Sequence, residues 1–288
     1  MPALTRGGFT LPELVVSLAV LGLLAGVAAG LLRETERLYR TQAPGIEVRQ
    51  NLRIAAAFLP AELRELDAAD GDIVAVAPTA ITIRASRQLA VLCRGPRLDA
   101  WPAPVTLTLA DAPFYGLRDF AVGTDSVWVY AAGSGASRDD DWWILGSVAS
   151  LAPDTCPDGR TARRLTTTLL PGPGRALSRG AIQSGAPVRG FETLIYRLYR
   201  SSEDNRWYVG MKSATDLQPV LGPVTNDGLA FAYFDSSGAT TIDPVGVRLI
   251  EIRVRARATE PSRRADGRLE NLLDSVVATI SLRNNRRH

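Results

Sequence analysis

The alternation of hydrophobic and polar positions divides the chain into three regimes. From Leu14 to Leu32, "LVVSLAVLGLLAGVAAGLL", nineteen residues pass without a charge. As a helix rising about 1.5 Å per residue this run spans roughly 28 Å, the hydrocarbon thickness of a bilayer. After Leu32 the pattern turns amphipathic: Val48, Leu52, Ala56, Leu59, Leu63 and Leu66 recur at helical spacing, with Arg49, Arg53 and Arg64 elsewhere on the wheel. The spacing predicts a stem helix over 33–68 whose apolar stripe packs on a sheet, interrupted or kinked at Pro44-Gly45 and again near Pro60.

Beyond Asp70 the period falls to two. "DIVAV", "AITIRAS", "QLAVLC", "PVTLTLA", "SVWVYAA" and "WWILGSV" are short β-branched or aromatic runs punctuated by Gly, Pro, Asp and Ser. "RRLTTTLL", "FETLIYRLYR", "RWYVGMK", "LAFAYFD", "GVRLIEIRVRARA" and "DSVVATISLR" form a second series. Such runs predict antiparallel strands, so residues 69–288 read as one β-rich head. Pro171 to Gly190 has turn composition and no periodicity, a loop or a joint within that head. The fold class expected is α+β, a long N-terminal helix packed on a large antiparallel head.

Composition narrows the chemistry. With 288 residues and 46% apolar content, the chain can bury a substantial core. A net charge of +3, with arginines dispersed among acids, argues against nucleic acid as the main partner. Lys212 is the only lysine and His288, the last residue, the only histidine. A terminal imidazole is poorly placed for a nucleophile system or a histidine-rich metal site. Cys93 and Cys156 lack Cys-x-x-Cys spacing. Outside the cytoplasm they would close a loop of roughly sixty residues; inside it, two buried thiols are expected.

The entrance to the apolar run carries an acid, Glu13, within "RGGFTLPE". An isolated carboxylate in hydrocarbon is costly, so it needs a partner or a place among the headgroups, where it stabilises a helix N-terminus. Gly22, Gly26 and Gly30 recur every fourth residue, a small-residue ridge that lets helix backbones approach closely. A secretory signal accounts for part of the pattern, with basic Arg6 and a small-residue "VAAG" at 27–30. The acid and the length of the run fit it poorly.

"GGFTLPELVVSLAVLGLLAG" resembles the class III signal of type IV prepilins and pseudopilins. The resemblance implies a leader over 1–8, with Gly8 its last residue, and a membrane helix over 9–32 that begins at Phe9. It implies cutting before Phe9 by a prepilin peptidase on the cytoplasmic face, methylation of the new Phe9 amine, and pairing of Glu13 with the N-terminal amine of a neighbouring subunit. Pro12 stands where an aliphatic residue is commoner, at little cost in a helix's first turn. The implied location is the inner membrane, with the N-terminus cytoplasmic, the head periplasmic or extracellular, and the chain in a filament after assembly. Placed outside the cytoplasm, Cys93 and Cys156 are expected to form a disulfide.

The body is similar, more loosely, to J-type minor pseudopilins and W-type minor pilins. By that similarity the chain is a minor subunit at or near the tip of a type IV pilus or type II secretion pseudopilus. Its partners would be other pilin or pseudopilin subunits, with no cofactor, no metal and no catalysis of its own. Two features of the head stay open: Arg253, Arg255 and Arg257 form either a solvated face or a contact for a neighbour's acids, and Asp139, Asp140 and Asp141 form a polar turn or a calcium site. The competing reading is a secreted or membrane-anchored β-rich binding protein or hydrolase, with acids such as Asp111, Asp119 and Glu192 available for glycoside chemistry.

Overall fold

The computed structural model describes residues 10–96, 104–116, 118–132, 141–170, 180–214, 216–263 and 268–282. A single helix, α1 (Leu11–Arg64), joins the apolar run to the stem, and its helical hydrogen bonding continues past Pro44 and Pro60. The expected interruptions do not divide it, and it ends four residues short of the anticipated 68. Val48, Leu59, Leu63 and Leu66 are buried as the spacing predicts and Leu52 is half-buried, but Ala55 rather than Ala56 fills the next position of the stripe. The 3,4 alternation places 52, 55, 59, 63 and 66 on one face and turns Ala56 to solvent.

All strand pairings are antiparallel. The chain runs through β1 (Ile73–Ala77), β2 (Ala80–Arg94), β3 (Val105–Gly116), β4 (Ser126–Ala131), β5 (Trp142–Thr155) and β6 (Thr161–Leu170). It continues through β7 (Pro187–Arg200), β8 (Trp207–Lys212), β9 (Leu217–Phe234), β10 (Leu249–Arg257), the short pair β11 (Ser262–Arg263) and β12 (Leu269–Glu270), and β13 (Leu273–Ser281). The helix and antiparallel head form the α+β, pilin-like architecture expected. "AITIRAS" and "QLAVLC" are one strand, β2, and β7 begins inside the segment read as a joint.

Two long strands organise the head. β2 and β7 pair along most of their length, from Ala80↔Arg197 to Val91↔Pro187. Their first shared stretch lies in an open sheet ordered β1-β2-β7-β8-β9-β10-β13. Past Gln88 and before Phe191, β2 takes β3 as its other neighbour and β7 takes β4, so β2-β3-β6-β5-β4-β7 closes on itself as a six-stranded barrel. The barrel is thus inserted between the halves of one hairpin-like pair. Closure removes the exposed edges that such a long excursion would otherwise leave.

Each unit has its own apolar core. α1 lays Leu59 and Leu63, with Leu66 just past its end, on Ile81, Ile83, Leu194 and Ile252 of the open sheet. Leu92, Leu107, Val129, Ile144, Leu165 and Val188 fill the barrel. Inside the barrel Gly190 faces the Phe120 ring, and a Cβ there would lie 2.7 Å from Cε1; only a glycine permits that approach.

A polar chain connects the two units. Glu62 of α1 meets Arg87 (3.4 Å), Arg87 meets Glu192 (3.6 Å), and Glu192 meets Arg118 (3.4 Å). Arg118 grips Asp125 through both nitrogens at 2.6 and 2.7 Å, and Asp125 also accepts from Gln88 and the Ala121 N–H. The buried carboxylate of Asp125 is thereby fully partnered, as a charge without water must be.

Candidate functional site

The candidate site is the helix entrance. Thr10 adopts an extended conformation and caps α1, leaving Pro12 in the first turn where its missing N–H costs nothing. Glu13, three residues on, folds back: its carboxylate accepts from the Thr10 N–H at 3.0 Å and from the Thr10 hydroxyl at 2.8 Å. This is the glutamate half of a capping box, satisfying a donor that the helix cannot. The negative charge also lies at the positive end of the helix dipole. In the isolated chain Glu13 therefore has a partner within its own first turn, and its carboxylate is exposed and open to a further donor.

Beyond Glu13 the apolar run has no partner among the described residues. Leu14, Val15, Leu18, Leu21, Leu24 and Leu31 are each more than half exposed. α1 is long and apolar enough to cross a membrane, and its apolar window is unburied. So much bare aliphatic surface is unfavourable in water, at roughly 25 cal/mol per Å². Gly22, Gly26 and Gly30 stand on this exposed length, and a Cβ on any of them would meet nothing within 4 Å. Gly8 and Phe9 lie outside the described residues.

The remaining residues singled out in the sequence fall elsewhere. Cys93, on β2, and Cys156, in the turn after β5, form a disulfide with Cα atoms 5.6 Å apart. It sits beside Ala110 and Ala162. Arg253 and Arg255 face local acids, Glu251 at 3.7 Å and Asp227 at 2.5 Å, so most of the arginine strand is paired within the head. Asp141 accepts a hydrogen bond from the Tyr130 hydroxyl, while Asp139 and Asp140 lie outside the described residues. Among the described residues no cluster of three or more His, Cys, Asp or Glu side chains is placed to hold a metal. Asp111 and Asp119 are both held by Arg163, and Glu192 by Arg87 and Arg118.

One constellation has no simple signal in the sequence. On the outer face near the barrel's base, Arg84 lies 5.3 Å from the Trp128 ring and 5.7 Å from Phe191, and Arg189 lies 5.7 Å from Trp143. Arg189 also reaches Asp72, 3.4 Å away, in the turn between α1 and β1. Guanidinium groups stack on aromatic faces at about 0.5–2 kcal/mol each. The strand alternation places these residues outward, but the pairing that brings β2, β4, β5 and β7 side by side is non-local.

The N-terminal segment matches the family model of the prokaryotic N-terminal methylation motif over residues 5–29. No curated protein and no solved structure matches the chain. The motif, the exposed apolar helix it opens and the strand-rich head behind it support a membrane-anchored, type IV pilin-like protein.

Proposed function

We propose that this chain is a minor pilin or pseudopilin, incorporated at or near the tip of a type IV pilus or type II secretion pseudopilus, where it promotes assembly. The observation that carries the reading is the coincidence of the methylation motif with a bare apolar helix headed by Glu13. A prepilin peptidase removes residues 1–8 by cutting between Gly8 and Phe9, and the Phe9 amine is methylated. The chain then waits in the inner membrane with its head outside. During assembly Glu13 exchanges or shares its Thr10 contact with the N-terminal amine of a neighbour, a stronger charge-assisted partner in a medium of low dielectric. The helix leaves the bilayer to pack among other helices, with Gly22, Gly26 and Gly30 against them.

A tip position is supported by bulk. The inserted barrel enlarges the head well beyond what covers α1, and an enlarged head is easier to fit at one end than in every turn of a filament. No step of this function requires the chain to catalyse a reaction. N-terminal sequencing and mass analysis of the membrane-extracted protein test it: the mature chain is expected to begin at methylated Phe9. A chain beginning near Gly30 would instead make it a secreted protein with an ordinary signal.

A further inference from the structure

The end of the open sheet opposite the barrel carries a groove of about 660 Å³. It lies where β7 ends, β8 begins and β10 ends, with Arg200 across from Trp207, Trp207 across from Val224, and Arg257 across from Leu273. Arg200, Arg206 and Arg257 line it with one carboxylate, Glu270, and the amide side chains of Asn205, Asn226 and Asn271. The half-buried Trp207 forms part of its wall and packs against the sheet core. Of the three arginines on β10, Arg253 and Arg255 face local acids, while Arg257, among the described residues, has no ion pair and reaches this groove instead.

The stem enters the head at this same end. Val48 packs on Ala256 and Ala258, and Glu47 accepts from the Thr259 N–H at 2.8 Å. Guanidinium groups bind carboxylates through paired hydrogen bonds, and the amides supply donors and acceptors for a peptide backbone. The groove is too large for a lone anion and too polar for an apolar helix. We infer that it receives a carboxylate-bearing segment of a neighbouring subunit, held by Arg206 and Arg257 beside Trp207. The identity of that neighbour rests on the filament reading, since the groove opens at the end where the stem leaves the head and the next subunit would sit.

Calorimetric titration of the full-length protein in detergent micelles with hexaglutamate, hexaglutamine and inorganic phosphate tests the chemistry. Hexaglutamate should bind saturably and hexaglutamine should not. The Arg206→Gln, Arg257→Gln double variant should weaken hexaglutamate by about tenfold or more, as expected for losing charge-assisted bonds. Arg253→Gln, altering a guanidinium already facing Glu251, should leave binding unchanged. No hexaglutamate binding, equal binding by the double variant, or phosphate binding as tightly as the peptide would overturn the proposal. In cells, a photoreactive residue at Asn226 should crosslink to a chain with its own N-terminal methylation motif, at a yield the double variant lowers; absence of that product overturns the assignment of the occupant. The titration does not depend on where the mature chain begins, so its failure overturns the groove chemistry alone, whereas a missing crosslink in a protein that does begin at methylated Phe9 overturns the occupant and not the filament reading.

Discussion

Arg189, on the barrel's share of β7, reaches the Asp72 carboxylate in the turn that ends the stem, with 3.4 Å between Nη2 and Oδ2. Asp72 is 2% exposed and also accepts the Asp67 N–H at 3.0 Å. Burial raises its pKa above the ordinary 3.8, against the opposing pull of that N–H and of Arg189. The folded chain therefore holds this proton more tightly than the unfolded chain does. Stability linked to Asp72 is present below the unfolded value and is lost as pH rises through the folded one.

Asp72→Asn removes that dependence while keeping an acceptor for the Asp67 N–H. In urea unfolding, the stability of the variant relative to wild type should increase from about pH 4 to pH 7. A decrease over the same range would show that the attraction of Arg189 outweighs burial.

Glu13 has two roles that separate by substitution. Glu13→Gln keeps an oxygen for the Thr10 N–H and loses the charge, whereas Glu13→Val loses both. Leader removal and membrane insertion should survive in each, because Gly8, where the cut is proposed, is intact. Filament incorporation should fall in both, since a neutral side chain cannot pair with an ammonium. Wild-type incorporation by Glu13→Gln would reduce the residue to a helix cap.

What was legible in the chain was local. The apolar run, the period-two strands and the amphipathic stem all depend on neighbours within a turn or a strand, and all were found. The spacing does not separate Ala56 from Ala55, because alanine is neutral at either face and only the burial of Ala55 settles the stripe. "AITIRAS" and "QLAVLC" read as two runs because the charged Arg87 stands between them. In the fold Arg87 meets Glu62 and Glu192, and Gln88 bonds Asp125, so polar residues continue the strand through long-range partners. Closure of the barrel likewise depends on β2 meeting β7 about a hundred residues away, which no local pattern encodes.

The Cys93–Cys156 bond spans 63 residues that hold most of the barrel. In the chain-entropy account such a loop contributes about 4 kcal/mol. Cys93→Ser with Cys156→Ser should lower the unfolding midpoint markedly, and reductant should do the same to wild type without affecting the variant. An unchanged midpoint in both would mean that barrel closure alone holds this region.

The glycine ridge distinguishes a helix that merely anchors from one that packs. A Cβ on Gly26 meets nothing within 4 Å in the isolated chain, so Gly26→Leu introduces no clash within the protein. Leucine also favours helix over glycine by about 1 kcal/mol, so the anchor itself should be, if anything, more stable. Between packed helices the same side chain separates the backbones and removes the close contact that small residues allow. Gly26→Leu should therefore leave membrane insertion and head stability intact while shifting the protein from the filament fraction to the membrane pool, with Gly26→Ala intermediate. Quantifying both pools by immunoblot after shearing checks this, and a Gly26→Leu protein that enters filaments as wild type does would assign the ridge to the bilayer alone.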